Sequence, residues 1–171
     1  LSDAEVEHED RSGKYWYFRY PAADGGEGIV VATSRPETMF ADEAIAVHPS
    51  DERYRELVGK KVVLPLIGKE IPVIEDIYPD FEVGIRAGLE RPSCINKDAT
   101  MNELAGKYAG MDRYECRKAW VADLEEAGYL VKTEEKVIPV GECYRCHTVI
   151  EPMLSDQWFV AMEKLAKPAI E

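Results

Sequence analysis

Gly28-Ile29-Val30-Val31-Ala32-Thr33-Ser34-Arg35-Pro36-Glu37-Thr38-Met39-Phe40 begins as a buried strand and then breaks. Four apolar residues in a row are a strand signal, and the proline ends it. A turn needs Pro or Gly. It does not need two hydroxyls, a guanidinium and a carboxylate together. Two readings fit these letters: a strand closed by a proline turn with Glu37 capping the next element, or a site built on a strand end.

Outward from this stretch, strand signals dominate. Val6–Glu9 and Lys14–Tyr20 flank Asp10-Arg11-Ser12-Gly13, which reads as a hairpin turn. Residues 29–33 and 44–47 read as strands. Ser50 is placed to cap a short helix over 51–58, closed by Gly59. Residues 61–66 and 70–74 face each other across Ile67-Gly68-Lys69, and Pro65 and Pro72 assign these strands to edges or bulges. Asp80 starts a short helical pattern that Gly88 ends. The clearest helix runs from a cap at Asp112 to Gly128, with Cys116, Ala119, Trp120, Leu124 and Ala127 on one face. Strands follow at 129–132 and 136–139. Short, regularly spaced strands with few helices imply an α+β fold and suit a small barrel. The composition changes after residue 140. The chain therefore divides into 1–140 and a return segment, 141–171, that opens with a Cys-x-x-Cys turn.

With 171 residues, 46% of them hydrophobic, the chain can bury one sizeable core. No run reaches the apolar length of a membrane span. Leu1-Ser2-Asp3 is no signal peptide, and the absence of an initial Met reads as a fragment or processed product. Four cysteines, two of them isolated, do not make a secreted disulfide framework, so a reducing cytoplasm is expected. The net charge of −12 would repel a phosphate backbone, so any nucleic acid should enter only by a small part.

Cys143-Tyr144-Arg145-Cys146 has the spacing by which one tight turn gives zinc two thiolates. A redox pair or two free thiols are the alternatives, and neither His48 nor His147 has spacing that completes a metal site. Asp80 alone reads as a helix cap. Tyr15, Trp16, Tyr17, Phe18 and Tyr20 read as strand packing. Dinucleotide, P-loop, nucleophile-elbow and His-Glu-x-x-His motifs are absent, which removes the chemistries they carry.

Ala32-Thr-Ser-Arg-Pro-Glu-Thr-Met-Phe-Ala-Asp42, with Ala44-Ile-Ala-Val-His-Pro49, resembles the Thr-rich segment of class I valyl-tRNA synthetase editing domains. Met101-Asn-Glu-Leu-Ala-Gly, Cys143-Tyr-Arg-Cys-His-Thr-Val-Ile-Glu-Pro152 and Ser155-Asp-Gln-Trp-Phe-Val160 extend the likeness over nearly the whole chain. The resemblance implies the small closed β-barrel with peripheral helices shared by the valyl, isoleucyl and leucyl editing domains. It implies hydrolysis of mischarged Thr-tRNA(Val) by a positioned water, with no catalytic metal. A hydrophobic synthetic site rejects an added hydroxyl only about 10²-fold, a figure that belongs to this family as a whole. A second site that hydrogen-bonds the threonine hydroxyl then refuses valine.

Carried onto this sequence, the family pattern makes Asp80 and Thr38 catalytic, Thr38 by positioning the ester or the water. Arg35, Thr33, Ser34 and Glu37 bind substrate, with Arg35 on the terminal adenosine or its phosphate. Cys143 and Cys146 become half of a zinc site completed only in the full-length enzyme, and ATP belongs only to the parent catalytic domain. The implied partners are the 3′ end of tRNA(Val) carrying threonine and that catalytic domain. No membrane is involved, and the chain is expected to be a monomer.

The chain departs from the pattern once inside its length. In the family, a Phe-Gly-Thr-Gly, Lys-x-Thr-Pro-Ala and His-Asp-Pro-x-Asp segment follows the region of Tyr78. Here Tyr78 runs straight into Pro79-Asp80, and Asp80 matches only the final Asp, which in the family faces the substrate threonine. Losing a core hairpin should wreck the barrel. The reading therefore favours a segment that belongs to the protein but lies outside this sequence. A true deletion would leave a module that docks the tRNA end without hydrolysis. An isoleucyl-type editing domain and a stand-alone zinc ribbon are the other rivals.

Overall fold

A computed structural model describes residues 5–77 and 83–151, together with Val160, Met162 and Ala166. The fold is α+β, as expected, and its described strands form two three-stranded sheets.

In the first sheet, β1 (Val6–Tyr20) lies between β2 (Ile29–Thr33) and β6 (Leu130–Cys143), all antiparallel. The expected hairpin at residues 10–13 does not form. Asp10–Gly13 stay extended and pair with Pro139–Lys136. The reason is steric. A Cβ on Gly13 would lie 2.5 Å from Cδ1 of Ile138, so this glycine permits close cross-strand contact and not a turn. Gly28 has the opposite use. Its φ of +77° and a virtual Cβ only 2.1 Å from the Tyr20 carbonyl oxygen make it the residue that lets the chain re-enter the sheet as β2.

The second sheet has the order β3 (Ile45–Val47), β5 (Glu70–Glu75), β4 (Lys61–Val63). The 61–66 and 70–74 pairing is present in shortened form, with Lys61 opposite Pro72. Contrary to expectation, Pro72 sits in the central strand. It is tolerated because β4 pairs with the first half of β5 and β3 only from Val73 onward. Backbone bonds from Ala23 N to Lys61 O (2.9 Å) and from Val63 N to Pro21 O (2.8 Å) lace the end of β1 onto β4 and connect the sheets.

The helix capped by Ser50 is also replaced. Asp51 accepts hydrogen bonds from the backbone and guanidinium of Arg53, a local alternative to helical bonding, and only a 3₁₀ turn forms at Arg55–Leu57. Gly59 still closes it with positive φ. The pattern ending at Gly88 is a single turn, α1 (Val83–Arg86), while Asp80 lies outside the described residues. The main helix, α2 (Arg113–Glu126), matches its reading except at Ala127, which is an exposed C-cap and not part of the buried face. The Asp112 side chain accepts from the amides of Tyr114 and Glu115, and Gly128 ends the helix with φ +79°.

Cys116, Trp120 and Leu124 form the buried face of α2 and join a core with Phe18, Tyr20 and Val62. Phe40 packs on Trp120 (centroids 4.7 Å) and Tyr108 (5.7 Å). Burying Phe40 contributes about 2 kcal/mol, and it anchors the segment after β2 against the helix. Strand β6 continues through Gly141 to Cys143, so the first residues of the 141–171 segment still belong to the sheet.

Candidate functional site

The break after β2 is a built structure. The Thr33 hydroxyl accepts a hydrogen bond from the Arg35 amide at 3.0 Å, which turns the chain out of the sheet. Pro36 then opens a 3₁₀ helix, Pro36–Ala41, at a position where a missing N–H costs nothing. The Thr38 amide and hydroxyl both donate to the Arg35 carbonyl, at 3.0 and 2.9 Å. Asp42 ends the turn in extended geometry.

This path brings Thr33, Thr38 and Asp42 into the lining of a cleft of about 260 Å³, together with Tyr20 of β1 and Ala46 of β3. The Tyr20 hydroxyl donates to Oδ2 of Asp42 at 2.7 Å. Burial pushes the Asp42 carboxyl up to about 6, although the Tyr20 bond and the Lys69 charge pull the other way. Burial and Asp42 push the Tyr20 hydroxyl far up, so it stays a donor. At neutral pH the cleft holds a largely ionised carboxylate together with the hydroxyl-bearing residues Tyr20, Thr33 and Thr38. Such a set can hold an ammonium group or order a water against an ester.

Behind the cleft lies a chain of charges. The Glu37 side chain is fully buried and receives a two-pronged bond from Arg117 of α2: Nε to Oε2 at 2.7 Å and Nη2 to Oε1 at 2.6 Å. Arg35 Nε is 3.5 Å from the same Oε1, and its Nη2 pairs with Glu151. Glu151 also pairs with Arg113 Nε at 2.6 Å. Arg113 and Arg117 lie against the Tyr114 ring, at 4.4 and 5.2 Å from its centroid.

Of the residues expected to form the site, Thr33 and Thr38 come together in the cleft lining. Arg35 turns to Glu151 and Glu37. Glu37 points into the protein, and half-buried Ser34 is not part of the lining. Asp80 lies outside the described residues. Sequence reading missed Asp42, Tyr20, Arg113, Arg117 and Glu151. Asp42 closes the stretch that carried the resemblance, so its signal was present. Glu151 likewise lies in the Cys143–Pro152 stretch, while Tyr20, Arg113 and Arg117 come from distant elements and had none.

Cys143 and Cys146 occupy a turn closed by His147 N to Cys143 O at 2.8 Å. Cys143 is buried and Cys146 exposed, with the Cys146 thiol held below its ordinary range by Thr148. These are two donors where structural zinc takes four. Among the described residues no group of three His, Cys, Asp or Glu side chains is arranged to hold a metal. Among the described residues, too, no helix is long and apolar enough to cross a membrane.

No family model matches the chain. It is, however, 54% identical over 189 aligned positions to a valine–tRNA ligase of Carboxydothermus hydrogenoformans, covering 100% of this chain and 22% of the relative. A valine–tRNA ligase of Symbiobacterium thermophilum is 54% identical, covering 99% of the chain and 21% of that protein. One from Thermotoga maritima is 51% identical, covering 100% and 22%. The chain thus spans about a fifth of the length of the curated relatives it matches. The alignment with the Carboxydothermus protein has 189 positions against 171 residues here, so that relative carries 18 positions without a counterpart. With about half its residues identical across its whole length, the chain belongs to the valine–tRNA ligase family, in the part of those proteins that these matches cover.

Proposed function

We propose that the chain is the editing domain of a valyl-tRNA synthetase and hydrolyses threonine from mischarged Thr-tRNA(Val). The observation that carries this reading is the cleft at the end of β2, where Asp42, Thr33 and Thr38 line a space of about 260 Å³. That space is small for a general ligand pocket and suits one amino acid with part of a ribose. A threonine hydroxyl finds polar partners there. Valine leaves them unpaired and is refused. Asp42 and Thr38 orient the substrate ammonium and the attacking water, and Thr33 contributes its hydroxyl. The family pattern also implies a catalytic role for Asp80, which lies outside the described residues. The lacing of residues 21–23 onto β4 supports a small closed barrel as the full architecture. Only the tRNA 3′ end enters, in keeping with the charge of −12. The domain works as a monomeric unit beside the ATP-using catalytic domain of its parent enzyme in the cytoplasm, and Cys143 and Cys146 form half of that parent's zinc site.

Two observations favour a second reading. The relatives' additional positions and the direct run of Tyr78 into Pro79 suit a module that docks the tRNA end without hydrolysing it. The test is deacylation of Thr-tRNA(Val), Val-tRNA(Val) and Val-tRNA(Ile) by the purified chain. Selective loss of threonine is expected. Binding of Thr-tRNA(Val) without deacylation would support the docking module, and selective loss of valine from tRNA(Ile) would move the chain to an isoleucyl-type function.

A further inference from the structure

We infer that Glu37 and Arg117 are positioning residues for this hydrolysis, acting through the turn that carries Thr38; the inference rests on the editing reading above. Glu37 is the residue between Pro36 and Thr38, yet its carboxylate faces away from the cleft and is completely buried. Both its oxygens are engaged by the fork of one arginine from α2, eighty residues away in sequence. A carboxylate in that environment needs such a partner, since burying a lone charge is prohibitive. The pairing therefore fixes where α2 and the 3₁₀ helix sit relative to each other.

The same turn is held at two more points. The Thr33 hydroxyl holds the Arg35 amide, and the Cys94 thiol reaches the carbonyls of Glu37 and Thr38 at 3.5 and 3.8 Å. Thr38 rests its amide and hydroxyl on the Arg35 carbonyl, so any rotation of the turn moves the hydroxyl that lines the cleft. Of these contacts, the bidentate pair is the one with directional geometry on two atoms at once. Lysine cannot reproduce it, because an ammonium is a point charge without a fork.

The test compares the chain with Arg117→Lys and with the paired substitution Glu37→Met with Arg117→Met. Both are read by Thr-tRNA(Val) hydrolysis, by melting temperature and by hydrogen exchange at the Thr38 amide. The paired substitution removes both charges together and keeps apolar volume, which buried pairs often tolerate in stability. The expected result is a fall in kcat on the order of tenfold in each variant, with KM within about twofold, because a displaced catalytic group costs rate more than binding. Thr38 exchange should accelerate about tenfold while the melting temperature holds. Wild-type kcat and wild-type Thr38 exchange in both variants would overturn the inference. If the unmodified chain hydrolyses nothing, the hydrolysis reading fails by itself. Thr38 exchange in Arg117→Lys then decides whether the pair holds the Thr38 turn: faster exchange upholds that hold, and unchanged exchange overturns it.

Discussion

Asp42 shows how the surroundings change the chemistry of one residue. Its carboxyl ordinarily titrates at 3.8 and rises to about 6 in the fold. The folded state therefore holds this proton more tightly than the unfolded chain does. The stabilisation from that proton is complete below pH 3.8 and is lost as pH rises through about 6. Asp42→Asn removes this dependence, so thermal melts at pH 5 and pH 7 should show the variant gaining on the parent at the higher pH. Hydrolysis should move the opposite way. If the ionised carboxylate orients the substrate, the parent's rate climbs through a midpoint of about 6, and Asp42→Asn abolishes both the climb and most of the rate. The cysteines give a second contrast at this scale. Burial pushes Cys94 and Cys116 up to about 11, while exposed Cys146 is shifted down by Thr148. Alkylation of the native protein at neutral pH, mapped by peptide mass, should modify Cys146 first and reach Cys94 and Cys116 only after denaturation.

At the scale of elements, α2 supports the site as much as β2 does. It packs Trp120 against Phe40 on one face and presents Arg113 and Arg117 to the two carboxylates. Its start depends on the Asp112 side chain, which accepts from two otherwise unpaired amides. Asp112→Ala should cost about 1 kcal/mol in denaturant unfolding. Since Arg113 is the first residue of the helix and Arg117 lies in its second turn, hydrogen exchange should rise at Tyr114 and Glu115 before it rises at Leu124. The helix was legible because its cap, its apolar spacing and its terminal glycine all agree locally. The false hairpin at Asp10–Gly13 has the converse cause. Gly13 carries a turn signal, but what it answers to is Ile138 on a strand more than a hundred residues away.

At the scale of the molecule, Glu151 joins regions that are remote in sequence. It lies beyond the Cys143–Cys146 turn and pairs with both Arg35 and Arg113. Its side chain is 14% exposed and that of Arg113 is 11% exposed, so removing the carboxylate leaves a nearly buried guanidinium without its partner. Glu151→Gln should destabilise the chain by about 1–3 kcal/mol, below the figure for a fully buried pair because Arg35 remains partly solvated. A shift in the denaturant midpoint at constant slope would measure it. A variant as stable as the parent would show that the link between the 151 region and the β2 turn carries no energy.

By itself the sequence determined the α+β class, the capped helix, the Cys-x-x-Cys turn, the break in the chain after Thr33 and the family resemblance. Each of these is written in contiguous residues, where local propensity, capping and short motifs act. Tertiary structure alone decided that β1 is one continuous strand and that Arg35 and Glu37 turn away from the cleft. It also decided that Asp42 joins Tyr20 and that Arg117 and Glu151 stand behind the site. Those outcomes depend on which buried carboxylate meets which guanidinium and which side chain fills the space above a glycine. Such pairings are set by desolvation and packing between distant segments, and no local pattern in the chain encodes them.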